Sequence, residues 1–192
     1  LLVQRNNLLR YFAENRVFDA GQLEPWDQQM VPLAEAIHKE RKAFITSFEP
    51  LFQSVHTSLC LGKERVGLAI QSGLGEGDFA PHLAAALQHD RRFRRSTVGA
   101  HKDDVEFKLE EHPIRRFGSQ GQQKTFLLAL RLAQVEHLAL RVGRRPILLL
   151  DDIFDKIDNE RASALIQRVS SPEFGQVFIT DTDTQRIPKL LE

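Results

Sequence analysis

Ile147-Leu148-Leu149-Leu150-Asp151-Asp152 is the stretch on which the fold turns. Four consecutive large apolar residues are too few for a helix, and they predict a short strand buried on both faces of a parallel sheet. Ligands of open parallel sheets collect at the carboxyl ends of the strands, where Asp151 and Asp152 stand. Two adjacent acids at such a place repel each other unless a cation or a reacting water uses them. A strand that simply ends in solvated acids has the same sequence, so the stretch alone leaves both readings open.

The flanking sequence extends the pattern. Upstream, Phe126, Leu127, Leu130, Ala133, Val135 and Leu138 follow helical spacing and predict a helix from Gln120 to Arg141, closed off by Arg144-Arg145-Pro146. Downstream, Asn159 to Val169 predicts a helix, Val177-Phe178-Ile179 a second buried strand, and Gln185 to Leu191 a closing helix or turn. Helix, strand, helix, strand in this order is the grammar of a parallel sheet with crossover helices, hence an α/β class for residues 117–192.

Residues 1–116 read differently, as a mostly helical lobe with a few short strands. Leu1, Leu2, Arg5, Leu8, Leu9 and Phe12 predict a first helix to about Glu14, and Asp19-Ala20-Gly21 a turn. From Pro25-Trp26 onward, Met30, Leu33, Ile37, Phe44, Phe48 and Leu51 form one stripe, predicting a long helix to about Leu59 whose apolar side faces a core. Pro32 marks either a start or a kink in it. Val66–Ile70 and the alternation of Val105, Phe107 and Leu109 predict strands, Phe79–Arg91 a helix, and Gly73–Asp78 a loop with no lysine-serine pair after it. Glu111-His112-Pro113 turns the second strand back toward Ile114.

Composition narrows the function classes. With 42% apolar residues, 27% charged residues and a formal net charge of zero, the 192-residue chain has material for a core and does not read as disordered. Any contact with nucleic acid must come from a local patch rather than from overall charge. One cysteine, Cys60, excludes an intrachain disulfide and a Cys-rich zinc site, and reads as a small core residue. No apolar run approaches the length of a membrane span, and the single cysteine fits a cytosolic home. The chain opens without Met, inside the amphipathic stretch Leu1-Leu2-Val3-Gln4-Arg5-Asn6, which reads as a segment of a longer protein.

A second chemical feature precedes the long helix: Phe117-Gly118-Ser119-Gln120-Gly121-Gln122-Gln123-Lys124. Ser and Gly at a helix start leave free N–H groups and a positive dipole end, which suits an anion. Ser119 would serve equally well as an ordinary N-cap. Taken together, the Ser-Gln-Gly-Gln start, the strand ending in Asp-Asp and the following Asp155-Lys156-Ile157-Asp158 resemble the signature, Walker B and D-loop of the ABC ATPase superfamily. The basic residue Lys124 after Gln123, and the Asp-Asp pair, are similar to RecF-type proteins in particular. So is Thr97-Val98-Gly99-Ala100-His101-Lys102-Asp103-Asp104, which departs from that family's Thr-x-x-Gly-Pro-His-Arg-Asp-Asp by Ala100 and Lys102. Gln4–Leu9 and Trp26-Asp27 add to the resemblance, which runs through nearly the whole chain.

The resemblance implies a C-terminal part of a RecF-like recombinational DNA-repair ATPase, with a helical lobe followed by the C-terminal half of an ABC-type head. By position, Asp151 corresponds to the Mg²⁺-binding Walker B acid and Asp152 to the residue that acts on the attacking water. Ser119, Gln120, Gly121 and Gln122 would cap ATP held by another subunit, and Asp158 would be the D-loop acid. The implied partners are single- and double-stranded DNA at gaps, RecR and RecA-type proteins, and a second copy in an ATP-dependent homodimer. The D-loop keeps only its last acid, Thr180-Asp181 stand where a switch histidine is common, and no Gly-x-x-x-x-Gly-Lys-Ser/Thr occurs. ATP and Mg²⁺ are therefore expected only together with a P-loop half, and the 192 residues alone are expected to be inactive.

Two rivals are distinguishable. An SMC- or Rad50-like head would carry long heptad coiled coils, and no sustained heptads occur. A non-catalytic helical interaction domain would make Asp151-Asp152 incidental. His101, Asp103 and Asp104 are closely spaced enough for a metal site, but such groups in a loop more often serve turns. Arg91, Arg92, Arg94 and Arg95 around Phe93, and Arg141, Arg144 and Arg145, read first as solvated helix ends and second as phosphate grips.

Overall fold

A computed structural model describes residues 1–74, 78–155, 157–183 and 185–191. The elements run α1 (Leu2–Asn15), α2 (Glu24–Cys60), β1 (Val66–Gln71), α3 (Phe79–Phe93), β2 (Asp104–Leu109), β3 (His112–Pro113), α4 (Ile114–Phe117), α5 (Gln120–Val142), β4 (Leu148–Leu150), α6 (Asn159–Val169), β5 (Val177–Ile179) and α7 (Arg186–Leu191). The fold is thus largely helical with short strands, one pair of them parallel, as the sequence predicts. Residues 75–77 of the expected glycine loop, and Lys156 of the expected D-loop, lie outside the described residues. Among the described residues, no helix is long and apolar enough to cross a membrane.

Two compact units share the chain. The first comprises residues 1–45 and 70–106, and the second residues 46–69 and 107–192. Helix α2 passes from one into the other and is continuous through Pro32 and Pro50, although each proline removes a backbone donor. Of the two readings of Pro32, a start or a kink, the start is corrected: the helix begins at Glu24 and runs through Pro32. Met30 and Phe48 of its stripe are buried, whereas Leu33, Ile37 and Phe44 stay 43–53% exposed, so only part of the stripe faces a core.

In the first unit, Leu9, Phe12 and Leu23 form one apolar cluster, and Ala34, Leu74, Phe79, Leu83 and Ala100 another. A buried polar network accompanies them. Arg5, placed on the apolar face of α1, donates to Asp27 at 2.5 Å, to Asp90 at 2.6 Å and to Ser96 at 2.8 Å. Asp90 also receives the Thr97 amide and hydroxyl, and Asn6 Oδ1 receives the Ser96 amide. Gly99 has φ +130°, a conformation that disfavours side chains, and a Cβ there would meet His101 at 3.2 Å. Glu35 accepts the Phe79 amide at 2.9 Å, satisfying one of the unpaired donors at the start of α3.

In the second unit, β4 pairs with β5 in parallel, Leu148 opposite Val177, Leu149 opposite Phe178 and Leu150 opposite Ile179. A three-stranded sheet of order β1, β2, β3 is not confined to this unit, since β1 and β2 each have residues in both. Phe52 and Phe126 are both buried, with ring centres 4.9 Å apart and edge to face, joining α2 to α5. The expectation that β4 and β5 are buried on both faces needs correction. Leu148 and Leu150 are buried, but Leu149 is 72%, Ile147 65% and Phe178 56% exposed. An apolar run reports that both faces need cover without saying whether this stretch of chain supplies it.

Candidate functional site

Ser119 stands one residue before α5 in extended conformation, as its type demands. Its hydroxyl oxygen accepts the Gln122 amide at 3.2 Å, and its own amide donates to Gln122 Oε1 at 2.8 Å, closing a reciprocal capping box. The first three helical amides have no acceptor within the helix. With Gln122 served by Ser119, those of Gln120 and Gly121 are the ones aimed outward, and the Ser119 hydroxyl keeps its proton to donate. This arrangement suits phosphate oxygens. Ser119 and Gln120 are exposed.

The carboxyl ends of β4 and β5 meet at Asp151 and Thr180. The Thr180 hydroxyl donates to Asp151 Oδ1, and the Asp152 amide donates to the same hydroxyl at 3.2 Å. Asp151, Asp152 and Thr180 are all exposed. Hard oxygen donors in that setting fit a Mg²⁺ ion, which takes one or two protein oxygens and keeps several waters. Asp152 has φ 47°, a left-handed conformation that Asp tolerates better than most residues. It turns the chain sharply off the strand, so that two neighbouring acids do not continue along one line. Lys124 Nζ donates to the Asp152 carbonyl at 3.4 Å, linking the first turns of α5 to the end of β4.

Asp158 caps α6 by accepting the Arg161 amide at 2.9 Å, and its carboxylate lies 3.3 Å from Arg161 Nε. Asp181 is turned away from the strand ends: only 2% of its side chain is exposed, and it pairs with Arg186 at 3.3 Å. Thr180, rather than Asp181, is therefore the residue beside Asp151.

The remaining sequence candidates separate. His101 Nε2 lies 3.2 Å from the Ser96 carbonyl, Asp103 receives Ser72 at 2.5 Å and Arg41 at 3.0 Å, and Asp104 receives the Val105 amide. They serve loop structure and do not converge. Arg91 lies over the Phe18 ring, 3.8 Å from its centre. Sequence reasoning missed Glu64, which accepts from Gln122 at 3.1 Å and from Arg161 at 2.7 Å. Among the described residues, His56, Cys60 and Glu64 form the one group of three metal-ligating side chains, with donor atoms within 4.8 Å. The Arg161 guanidinium on that carboxylate opposes a second cation there. Burial pushes the His56 imidazole below its ordinary pKa; Glu64 acts in the opposite sense and Arg161 in the same one.

No family model matches the chain. It is 42% identical over 192 residues to the DNA replication and repair protein RecF of Flavobacterium johnsoniae, covering 100% of this chain and 54% of that protein. Against the protein of the same name from Phocaeicola vulgatus it is 41% identical, covering 100% and 51%. The structure of the recombination mediator protein RecF-ATPrS in the RecFOR pathway superposes with a TM-score of 0.78 at 22% identity, over 95% of this chain and 51% of that one. The RecF-ATP structure gives a TM-score of 0.77 with 95% and 50% coverage. The chain thus spans about half the length of the relatives it matches.

Proposed function

Because the chain belongs to the RecF family, we propose that it supplies one side of a composite ATP site in a recombinational DNA-repair ATPase. That side consists of the Ser119 signature, the Asp151–Asp152 strand end and the Asp158 loop. The carrying observation is the junction of Asp151 with Thr180 at the carboxyl ends of two parallel strands. This is where an open parallel sheet binds ligands. In this reading Asp151 and Thr180 hold Mg²⁺, Asp152 orients the attacking water, and Ser119, Gln120, Gly121 and Gln122 cap the phosphates from the facing subunit. A Mg²⁺ ion held there would supply positive charge to offset that developing on the phosphates.

Energetics favour a division of labour. A helix N-terminus stabilises an anion by about 0.3–1 kcal/mol, and up to ~2 kcal/mol when partly buried. Holding ATP with micromolar affinity requires about −8 kcal/mol. A signature start can therefore tip a loaded dimer but cannot retain the nucleotide, which needs the P-loop that this sequence lacks. The exposed face carrying Ile147, Leu149 and Phe178 agrees with this, since exposed apolar patches mark interaction surfaces. We assign its cover to the half of RecF proteins that this chain does not span.

The assembled protein would bind DNA at single-strand gaps as an ATP-dependent dimer and hand it to RecR and RecA-type partners in the cytoplasm. Ser119→Arg in the complete gene product tests the reading. The new side chain would occupy the phosphate position, so ATP-dependent dimerisation in sedimentation should disappear while ATP binding to the monomer persists. Dimerisation at the normal level would count against the composite site.

A further inference from the structure

Glu64 and Arg161 are 97 residues apart in sequence, and each touches a different part of the proposed site. Glu64 Oε1 accepts from Arg161 Nη2 at 2.7 Å and from Gln122 Nε2 at 3.1 Å. Gln122 is the glutamine of the Ser119 capping box. An amide has a donor end and an acceptor end, and a carboxylate takes only the donor. Glu64 therefore turns the Gln122 oxygen toward the Ser119 amide, which donates to it at 2.8 Å. Arg161 is a rigid planar fork with donors at fixed angles. Besides Glu64 it reaches Thr125 Oγ1 in α5 at 3.1 Å, and its Nε lies 3.3 Å from Asp158 Oδ2. Both side chains are largely withdrawn from water, 12% exposed for Glu64 and 17% for Arg161. The neighbouring Lys63–Glu160 pair is exposed at 62% and 65%, where ion pairs contribute little.

We propose that Glu64 and Arg161 are positioning residues that lock the first turn of α5 to the first turn of α6, so that Ser119 and Asp158 meet the nucleotide as one rigid edge. The proposal rests on the composite-site reading above. Neither residue touches the nucleotide in it. Loss of either one frees the Gln122 amide or the Asp158 carboxylate, and through the shared contact loosens the other.

The test uses the complete gene product with Glu64→Gln, Arg161→Gln, the double substitution and Arg161→Lys. Two readouts are taken: hydrogen exchange over residues 119–124 and 158–162, and ATP-dependent self-association. Each glutamine variant should speed exchange in both segments by about tenfold or more, as expected when charge-assisted hydrogen bonds are lost or reduced to neutral ones. Self-association should weaken by a similar factor with monomer ATP affinity unchanged. The double variant should be no worse than the poorer single, because both remove one clamp. Arg161→Lys keeps the charge without the fork and should fall between wild type and Arg161→Gln. Faster exchange only in the segment nearest each substitution, or additive effects, would overturn the clamp. So would intact self-association in the glutamine variants when Ser119→Arg abolishes it. If Ser119→Arg also leaves association intact, the composite-site reading falls, and the exchange data alone still decide the clamp.

Discussion

Arg5 and Asp90, 85 residues apart in sequence, form an ion pair at 2.6 Å in which neither side chain is exposed to solvent. Burial alone would lower the Arg5 pKa, but the hydrogen bonds and charges of Asp27 and Asp90 outweigh it and raise the group above its ordinary value. Breaking a buried pair from one side leaves an uncompensated charge, which typically costs about 3–5 kcal/mol. Asp90→Ala also strips the Thr97 amide and hydroxyl of their acceptor. The substitution should lower stability by that amount or more, read as a shifted urea midpoint. A change below about 1 kcal/mol would contradict the structural role assigned to the network.

His56 gives a pH prediction. It is buried among Phe52, Phe126 and Cys60, with Glu64 Oε2 at 3.8 Å and Arg161 nearby, and burial lowers its pKa. In the unfolded chain the same imidazole titrates near its ordinary value of about 6.5. Below that pH the unfolded state takes up a proton that the folded state refuses, so stability must fall as pH drops below about 6.5. The contribution is fully present above that value. His56→Gln removes the titration, and the difference in urea midpoint between wild type and variant should change between pH 8 and 5.5. A flat difference would show that His56 is not the group responsible.

How much of this was legible in the sequence depends on whether a feature is local. The Ser119 cap, the helix from Gln120 and the strands around Leu149 and Phe178 follow from spacing within a dozen residues, and the structure has them. Exposure of Leu149 and Ile147 was not legible, because an apolar run is silent about the origin of its cover. The helix through Pro32 and Pro50 defeats a local rule, since one missing donor is outweighed when buried residues such as Phe48, Phe52 and Val55 anchor the flanking turns. Glu64 and Arg161 had no signal at all. A charged residue after a helix and another inside one are ordinary until the fold brings them together. Arg5 was visible as a charge on an apolar face, but its partners Asp27 and Asp90 could be named only from the structure.

Thr180 follows β5 and holds both Asp151 and the Asp152 amide. Thr180→Val keeps the branched shape and removes the hydroxyl. The Asp151 carboxylate then loses its fixed orientation, though its exposure to water limits the cost in folding stability. The expected outcome is a complete gene product with a near-normal urea midpoint whose Mg²⁺ requirement for ATP turnover rises several-fold. Turnover with an unchanged Mg²⁺ dependence would remove Thr180 from the site.

Asp151 and Asp152 end one strand but should contribute differently. Asp151 lies beside Thr180, whereas Asp152 turns off the strand in left-handed conformation, with its carbonyl facing Lys124. Asp151→Asn should weaken Mg²⁺-dependent nucleotide binding, since an amide oxygen replaces a charged ligand. Asp152→Asn should leave ATP and Mg²⁺ bound and slow hydrolysis, because groups that act on an attacking water contribute about 10²–10⁴-fold. Asparagine tolerates positive φ as well as Asp does, so the second substitution should not disturb the backbone. The Asp152 variant should then accumulate as an ATP-loaded dimer that stays longer on gapped DNA. Calorimetry for binding and single-turnover kinetics for hydrolysis separate the two effects. Near-wild-type behaviour of both variants would mean two solvated acids and no site. Equal losses of binding and turnover from both would retain the site but reject the division of roles.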